Sequence, residues 1–139
     1  MRFELATPAR MLISAADVDE VVAPGTEGYF GVWPGHAPFL TTLGSGEVCY
    51  RTGRDEKCLA VSGGFAEVTG ERVIILAESA ELPEEIDRAR AERAKQRAEA
   101  RLSGKSPHGT PEDIDYARAV AALSRAFARL TTAGRLSQH

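Results

Sequence analysis

Residues able to carry chemistry are present in this chain, but few stand at spacings that would let them act together. Gly104-Lys105-Ser106 has the ending of a phosphate-binding loop, yet the glycine required five residues earlier is Glu99. The tripeptide also closes a helical pattern instead of joining a strand to a helix, so no phosphate cradle is expected. Gly44-Ser45-Gly46 lacks the third glycine of a dinucleotide fingerprint, and Ser62-Gly63-Gly64 is no nucleophile elbow. His36, His108 and His139 are scattered through turns and the C-terminus, with no carboxylate or cysteine at metal-ligand spacing. No nucleophile, base and oxyanion donor assemble from these pieces. The expectation is a protein with no catalytic residues, no metal and no required cofactor.

The charges of the C-terminal third are more suggestive. On a helical projection Ile86, Asp87, Arg90 and Arg97 fall within an arc of about 100°, so an acceptor and two guanidiniums would converge on one face. Arginine forks match phosphate oxygens, and a carboxylate accepts from ribose or adenine groups. Further along, Tyr116, Val120, Leu123, Phe127 and Leu130 form a single apolar stripe, with Arg118, Arg125 and Arg129 on the opposite face. If that stripe docks inward, those arginines point away from the partner helix.

The elements that must position these residues change type near Leu82-Pro83. Before it, short β-branched and aromatic runs at residues 2–7, 11–22, 28–32, 46–51, 57–62, 65–69 and 73–79 alternate with turn signals. Those signals include Pro24-Gly25, Pro34-Gly35, Gly53 and Gly63-Gly64. An antiparallel two-layer β structure buries one face of each sheet against the other. After Pro83 no glycine occurs until Gly104, and strong helix formers dominate. Pro83 suits a first helical position, with Glu84, Glu85 and Asp87 in the first turn. A second helix is expected from Thr110-Pro111 to about Ala133-Gly134, after a turn at residues 104–109. The non-polar positions of the first helix are nearly all alanine, which buries little area. Such a hairpin is either a structural cap on the sandwich or a weakly docked element that leaves it.

Charge divides at the same place. Residues 1–83 hold 6 basic and 12 acidic side chains, and residues 84–139 hold 11 and 8, within an overall net charge of -3. An acidic body with a basic tail suggests two functional parts, 1–83 and 84–139, and does not suggest nucleic acid as a partner. Residues 1–15 lack the apolar core and cleavage site of a signal peptide, and no apolar run approaches the ~20 residues that span a bilayer. Cys49 and Cys58 therefore read as reduced thiols packed as small hydrophobes.

Three stretches resemble the ATP synthase epsilon chain family. They are the segment Gly28-Tyr29-Phe30-Gly31-Val32-Trp33-Pro34-Gly35-His36-Ala37-Pro38-Phe39-Leu40-Thr41, the segment from Val61-Ser62-Gly63-Gly64 to Val68, and the helical pair. The resemblance implies a ten-stranded antiparallel β-sandwich followed by a two-helix hairpin. It implies a non-catalytic rotor subunit that binds the gamma subunit and the c-ring, coupling proton translocation to ATP synthesis. Tyr29, Phe30, Trp33 and His36 would lie at that rotor interface. It also implies helices that extend towards the alpha and beta subunits and inhibit ATP hydrolysis. The location implied is the cytoplasmic face of the bacterial membrane, with attachment through protein contacts.

Some members of the family bind a regulatory ATP through an I/L-D-x-x-R-A motif, present here as Ile86-Asp87-Arg88-Ala89-Arg90-Ala91. Matching positions add Glu81, Arg97, Arg125 and Arg129. For the last two, a solvated face, ATP phosphate contacts and contacts with acidic segments of the beta subunits all remain open. Two other classes compete: a stand-alone nucleotide- or carbohydrate-binding β module, and an enzyme whose site has no sequence signature. Binding of gamma without any small molecule separates the first, and turnover by the isolated chain separates the second.

Overall fold

A computed structural model describes residues 1–104 and 115–138. Eight strands precede two helices. The strands are β1 (Arg2–Ala6), β2 (Met11–Ala15), β3 (Glu20–Gly25), β4 (Gly28–Val32), β5 (Phe39–Thr42), β6 (Ser45–Thr52), β7 (Asp55–Val68) and β8 (Arg72–Glu81). A 3₁₀ turn at Pro83–Glu85 then leads to α1 (Arg88–Leu102) and α2 (Tyr116–Gly134).

The strand order β2-β1-β8-β7-β6-β3-β4, with β5 also on β7, makes two layers from one folded sheet. The first part of β7 pairs with β6 (Val48↔Leu59), and its last residues pair with β5 (Phe39↔Val68). The bend lies at Gly63 and Gly64, both at positive φ (69° and 106°). A Cβ on Gly64 would run into the backbone of Leu76, so only glycine lets β7 and β8 cross this closely.

Several expectations need correction here. Eight strands stand in place of ten, because long bent strands serve both layers and replace the separate runs 57–62 and 65–69. The sandwich is not wholly antiparallel, since β1 runs parallel to β8. The run 11–22 is two strands separated at Asp17, whose φ of 58° breaks the extended backbone. Residues 39–42 form a strand that the alternation did not announce, and Pro24-Gly25 ends β3 instead of turning the chain.

Phe3, Leu5, Val21, Val48, Leu59, Val68 and Ile75 are fully or almost fully buried at the centre of the sandwich. The contiguous core cluster is drawn entirely from the sandwich strands and their connections. What the helices bury is Ala91, Ala98, Ala119, Ala126, Ala128, Ala133 and Thr132. Deep packing thus belongs to the β layers, and the helices lie on their outside through small side chains.

Register also corrects the reading of the cysteines. Cys49 and Cys58 sit directly opposite each other on β6 and β7, with Cα atoms 4.1 Å apart, and are joined in a disulfide. Both strands point their side chains to the same outer face at that pair, so the two sulfurs meet.

Candidate functional site

Local chemistry sets the hinge between sandwich and helices. The Glu85 carboxylate accepts the Leu82 backbone N–H at 2.9 Å and the Arg10 guanidinium at 2.7 Å. Arg10 and the Leu82 N–H hold the Glu85 carboxyl below its ordinary range. This bond ties the turn after β1 to the first residues beyond β8. The α-helix begins later than Pro83 suggests, because Asp87 acts as its N-cap and accepts the Arg90 N–H at 3.0 Å. Asp115 caps α2 in the same way, accepting the Arg118 N–H at 3.1 Å. The expected start at Thr110-Pro111 lies outside the described residues.

The two helices meet along an alanine seam. Ala91, Ala94 and Ala98 on α1 recur at spacings of three and four, as do Ala119, Ala122 and Ala126 on α2. Alanine on both sides lets the helix axes approach closely, which leaves no room for larger side chains between them. Hence much of the apolar stripe of α2 stays outside: Tyr116, Val120 and Phe127 are 50%, 52% and 47% exposed, while Leu123 and Leu130 are half-buried. Lys95 lies over the Phe127 ring at 5.3 Å. Arg125 and Arg129 consequently border the side of α2 that meets α1, the reverse of the orientation that an inward stripe would impose, while Arg118 stays exposed and outside that cleft.

Arg97 and Arg101 of α1 and Arg125 and Arg129 of α2 rim a cleft of about 200 Å³ whose floor is alanine. Among the described residues, no carboxylate lies within ion-pair distance of Arg97, Arg101 or Arg125. Arg129 does have a partner: its Nε donates to Glu81 Oε1 at 2.5 Å. Four guanidiniums converging on a small cleft repel one another and favour an anion between them. The cleft is smaller than the roughly 300–1,000 Å³ that encloses a drug-sized ligand, so it suits phosphate groups with the rest of a ligand outside.

Of the sequence-predicted ligand set, the fold brings together Arg97, Arg125, Arg129 and, through its ion pair, Glu81. Ile86, Asp87 and Arg90 do not line the cleft. The helical-arc argument fails for Asp87, because its carboxylate serves as the cap and lies before the first turn. Arg101 lines the cleft without belonging to the motif, and its i+4 spacing from Arg97 was the available signal.

A second polar centre had no sequence signature beyond a lone acid in an apolar strand. Glu47 on β6 is 9% exposed. Its carboxylate accepts Thr132 Oγ1 at 2.7 Å, Arg135 Nε at 2.8 Å and Arg135 Nη2 at 2.9 Å. The Arg135 guanidinium is held more firmly protonated by the hydrogen bond to Glu47, against the cost of burial. This bidentate pair fixes the end of α2 to the sheet. Glu47 and the two cysteines also form the group of potential metal ligands found among the described residues. Their sulfurs are bonded to each other and the carboxylate is taken by Arg135, so the arrangement does not fit a resident cation.

The four residues expected at a rotor interface lie on β4 and the turn after it and differ in exposure. Phe30 points inwards and stacks edge-on to Phe39 at 5.3 Å. Tyr29 is exposed, and its hydroxyl accepts the Glu47 backbone N–H at 3.1 Å. Trp33 is exposed and donates to Glu20 at 2.8 Å. His36 packs against Phe39, with Nδ1 2.8 Å from the Ala37 carbonyl. The sandwich also exposes Phe65 and Leu76, which are register partners, with Leu40 nearby on β5.

Comparison with known proteins places these features in context. Residues 1–83 match the profile of the ATP synthase delta/epsilon chain β-sandwich domain, and residues 84–134 that of its long α-helix domain. The chain is 50% identical over 107 residues to ATP synthase epsilon chain 2 of Syntrophotalea carbinolica, covering 77% of each protein. It is 48% identical over 105 residues to the epsilon chain of Koribacter versatilis, covering 76% of this chain and 73% of that one. In fold it resembles a chain of the Euglena gracilis mitochondrial ATP synthase OSCP/F1/c-ring structure, with a TM-score of 0.74 at 24% identity. That likeness covers 99% of this chain and 80% of the other. From the sandwich with its appended alanine-rich hairpin and from matches that run through both parts, the chain belongs to the delta/epsilon chain family of ATP synthase.

Proposed function

We propose that this chain is a non-catalytic rotor subunit of the central stalk of an F-type ATP synthase, working in two parts. Residues 1–83 seat on the gamma subunit and the c-ring and help couple proton translocation to ATP synthesis. Residues 84–139 form a detachable latch that extends towards the alpha and beta subunits and inhibits ATP hydrolysis. The protein sits at the cytoplasmic face of the bacterial membrane through protein contacts. No described helix is long and apolar enough to cross a bilayer.

The observation that carries this reading is the way α2 docks. It turns alanines inward and leaves Tyr116, Val120 and Phe127 half-exposed. Each buried methyl contributes about 0.8 kcal/mol, so the seam is weak relative to a leucine-packed one. An apolar stripe held in reserve gives a second surface something to bind when the hairpin leaves.

Regulation by ATP fits the arginine cleft. A polyanion between Arg97, Arg125 and Arg129 would bridge the two helices and favour the compact state, and it shifts the balance only by its difference in affinity between the states. The test is ATP hydrolysis by a reconstituted catalytic head, with the full chain and with a version ending at residue 83. Strong inhibition by the full chain alone, relieved at millimolar ATP, is expected. Equal hydrolysis with both versions refutes the latch. Saturable calorimetric binding of ATP that survives Arg97→Ala with Arg125→Ala refutes the cleft as its site.

A further inference from the structure

The Cys49–Cys58 bond lies where it would influence the docked helix. β6 and β7 place three cross-strand pairs in succession on the outer face: Glu47↔Ala60, Cys49↔Cys58 and Arg51↔Glu56. The cysteine pair is therefore the middle row, with Glu47 one row to one side and Glu56 one row to the other. Arg135, at the end of α2, reaches both acids: it is 2.8 Å from Glu47 and 3.7 Å from Glu56. One guanidinium thus straddles the disulfide. Cys58 Sγ is itself 3.8 Å from Glu56 Oε1. Cys58, Glu56, Arg135 and Leu136 also line one open cleft of about 620 Å³, which gives solvent and small thiols a route to the pair.

We propose that Cys49 and Cys58 form a thiol–disulfide exchange site whose oxidation state sets how firmly Arg135 holds α2 on the sheet. Disulfides in a reducing compartment are usually transient and redox-sensing, so a pair here has a reason to be reversible. That argument uses the cytoplasmic location proposed above; the geometric one does not.

The reaction partner is a dithiol. One of its thiolates attacks the sulfur of Cys58, which borders the open cleft, and Cys49 leaves as a thiolate that takes a proton from solvent. The dithiol's second thiolate then attacks its own sulfur in the mixed disulfide. Cys58 leaves and is protonated, and the reductant ends as a cyclic disulfide. Two electrons pass to the protein, and the reverse reaction returns them.

Reduction replaces a covalent contact of about 2.05 Å by a non-bonded one of about 3.5–4.0 Å. The released Cys58 thiol borders the cleft that Arg135 and Glu56 also line. The two sulfurs separate by turning about their side chains or by widening the middle row, which relaxes the spacing of the two carboxylates that Arg135 spans. The oxidised chain holds α2 more firmly than the reduced one.

The test equilibrates the whole chain across a series of reduced and oxidised dithiothreitol. Thiols are trapped by alkylation for mass analysis, and amide hydrogen exchange of α2 is read on the same samples. One two-electron transition is expected, with α2 amides exchanging roughly fivefold faster in the reduced form. A Cys49→Ala, Cys58→Ala chain should show one exchange rate across the whole series. Two alkylated thiols at every ratio, or α2 exchange that is identical in both states, overturns the proposal. So does an Ala–Ala chain that still responds to the dithiol. Because every readout is taken on the isolated chain, failure here is distinct from failure of the rotor assignment.

Discussion

Replacing Glu47 with glutamine should undock α2 without harming the sandwich. In the native chain Glu47 accepts three hydrogen bonds from Thr132 and Arg135, and its side chain is only 11% exposed. A hydrogen bond to a charged group contributes about 1.5–3 kcal/mol net. The Glu47→Gln side chain keeps one acceptor oxygen for Thr132 but loses the charge and the bidentate geometry. Arg135 is one-third exposed, so once released it is partly solvated, which trims the loss to about 2 kcal/mol. That is a factor of about 30 in the docked-to-undocked ratio, since each 1.4 kcal/mol is tenfold.

The second ion pair sets the scale for comparison. Arg129 and Glu81 are 37% and 31% exposed, so Arg129→Ala should cost only about 0.2–1 kcal/mol, a few-fold effect. Native-state hydrogen exchange of the α2 amides reads both variants, with the β7 and β8 amides as internal reference. The expected order is wild type, then Arg129→Ala, then Glu47→Gln at about thirtyfold faster exchange. A double-mutant cycle of Glu47→Ala with Arg135→Ala should show coupling above about 1 kcal/mol. Exchange in Glu47→Gln within about twofold of wild type, or the reversed order, would refute the idea that the latch lies at Glu47.

Two further outcomes follow from the same contacts. Ala98→Leu places three extra carbons in a seam built on alanine, and should destabilise the docked hairpin by about 1–3 kcal/mol. Thermal melting at 222 nm should then show an early helical transition, with the β signal unchanged. Acid should loosen the hinge. The Glu85 carboxyl is lowered chiefly by its hydrogen bond to Arg10 and then by the Leu82 N–H, and Glu4 is lowered chiefly by Arg2. A depressed carboxyl contributes stability that is complete above its unfolded value and vanishes as pH falls through its folded value. The loss should therefore appear below the ordinary glutamate range. Urea unfolding at mildly acidic and strongly acidic pH should show a smaller acid effect in Glu85→Gln than in wild type.

Much of the architecture is local and was legible. Short β-branched and aromatic runs between turn signals before Pro83, and the alanine, glutamate and arginine composition after it, announced strands followed by helices, and the helix ends near Ser103 and Gly134 fell where expected. Boundaries within the sandwich were less visible. Gly63-Gly64 reads as a turn in sequence, yet it is a bend inside one strand, because β8 continues alongside and supplies partners on both sides of it.

The site divides in the same way. That arginines accompany an alanine-rich helix is a property of the sequence, and so is the presence of two cysteines in neighbouring strand segments. Which face of α2 turns inward is not. A helical projection ranks stripes by hydrophobicity, whereas docking ranks them by fit, and an alanine surface accepts another alanine surface closely. That choice moved Arg125 and Arg129 from the outside to the cleft. Likewise the pairing of Cys49 with Cys58, and of Glu47 with a residue 88 positions away, depends on strand register and on where α2 ends. Sequence determined the kinds of element and the charges they carry. Long-range packing alone decided which of those charges meet.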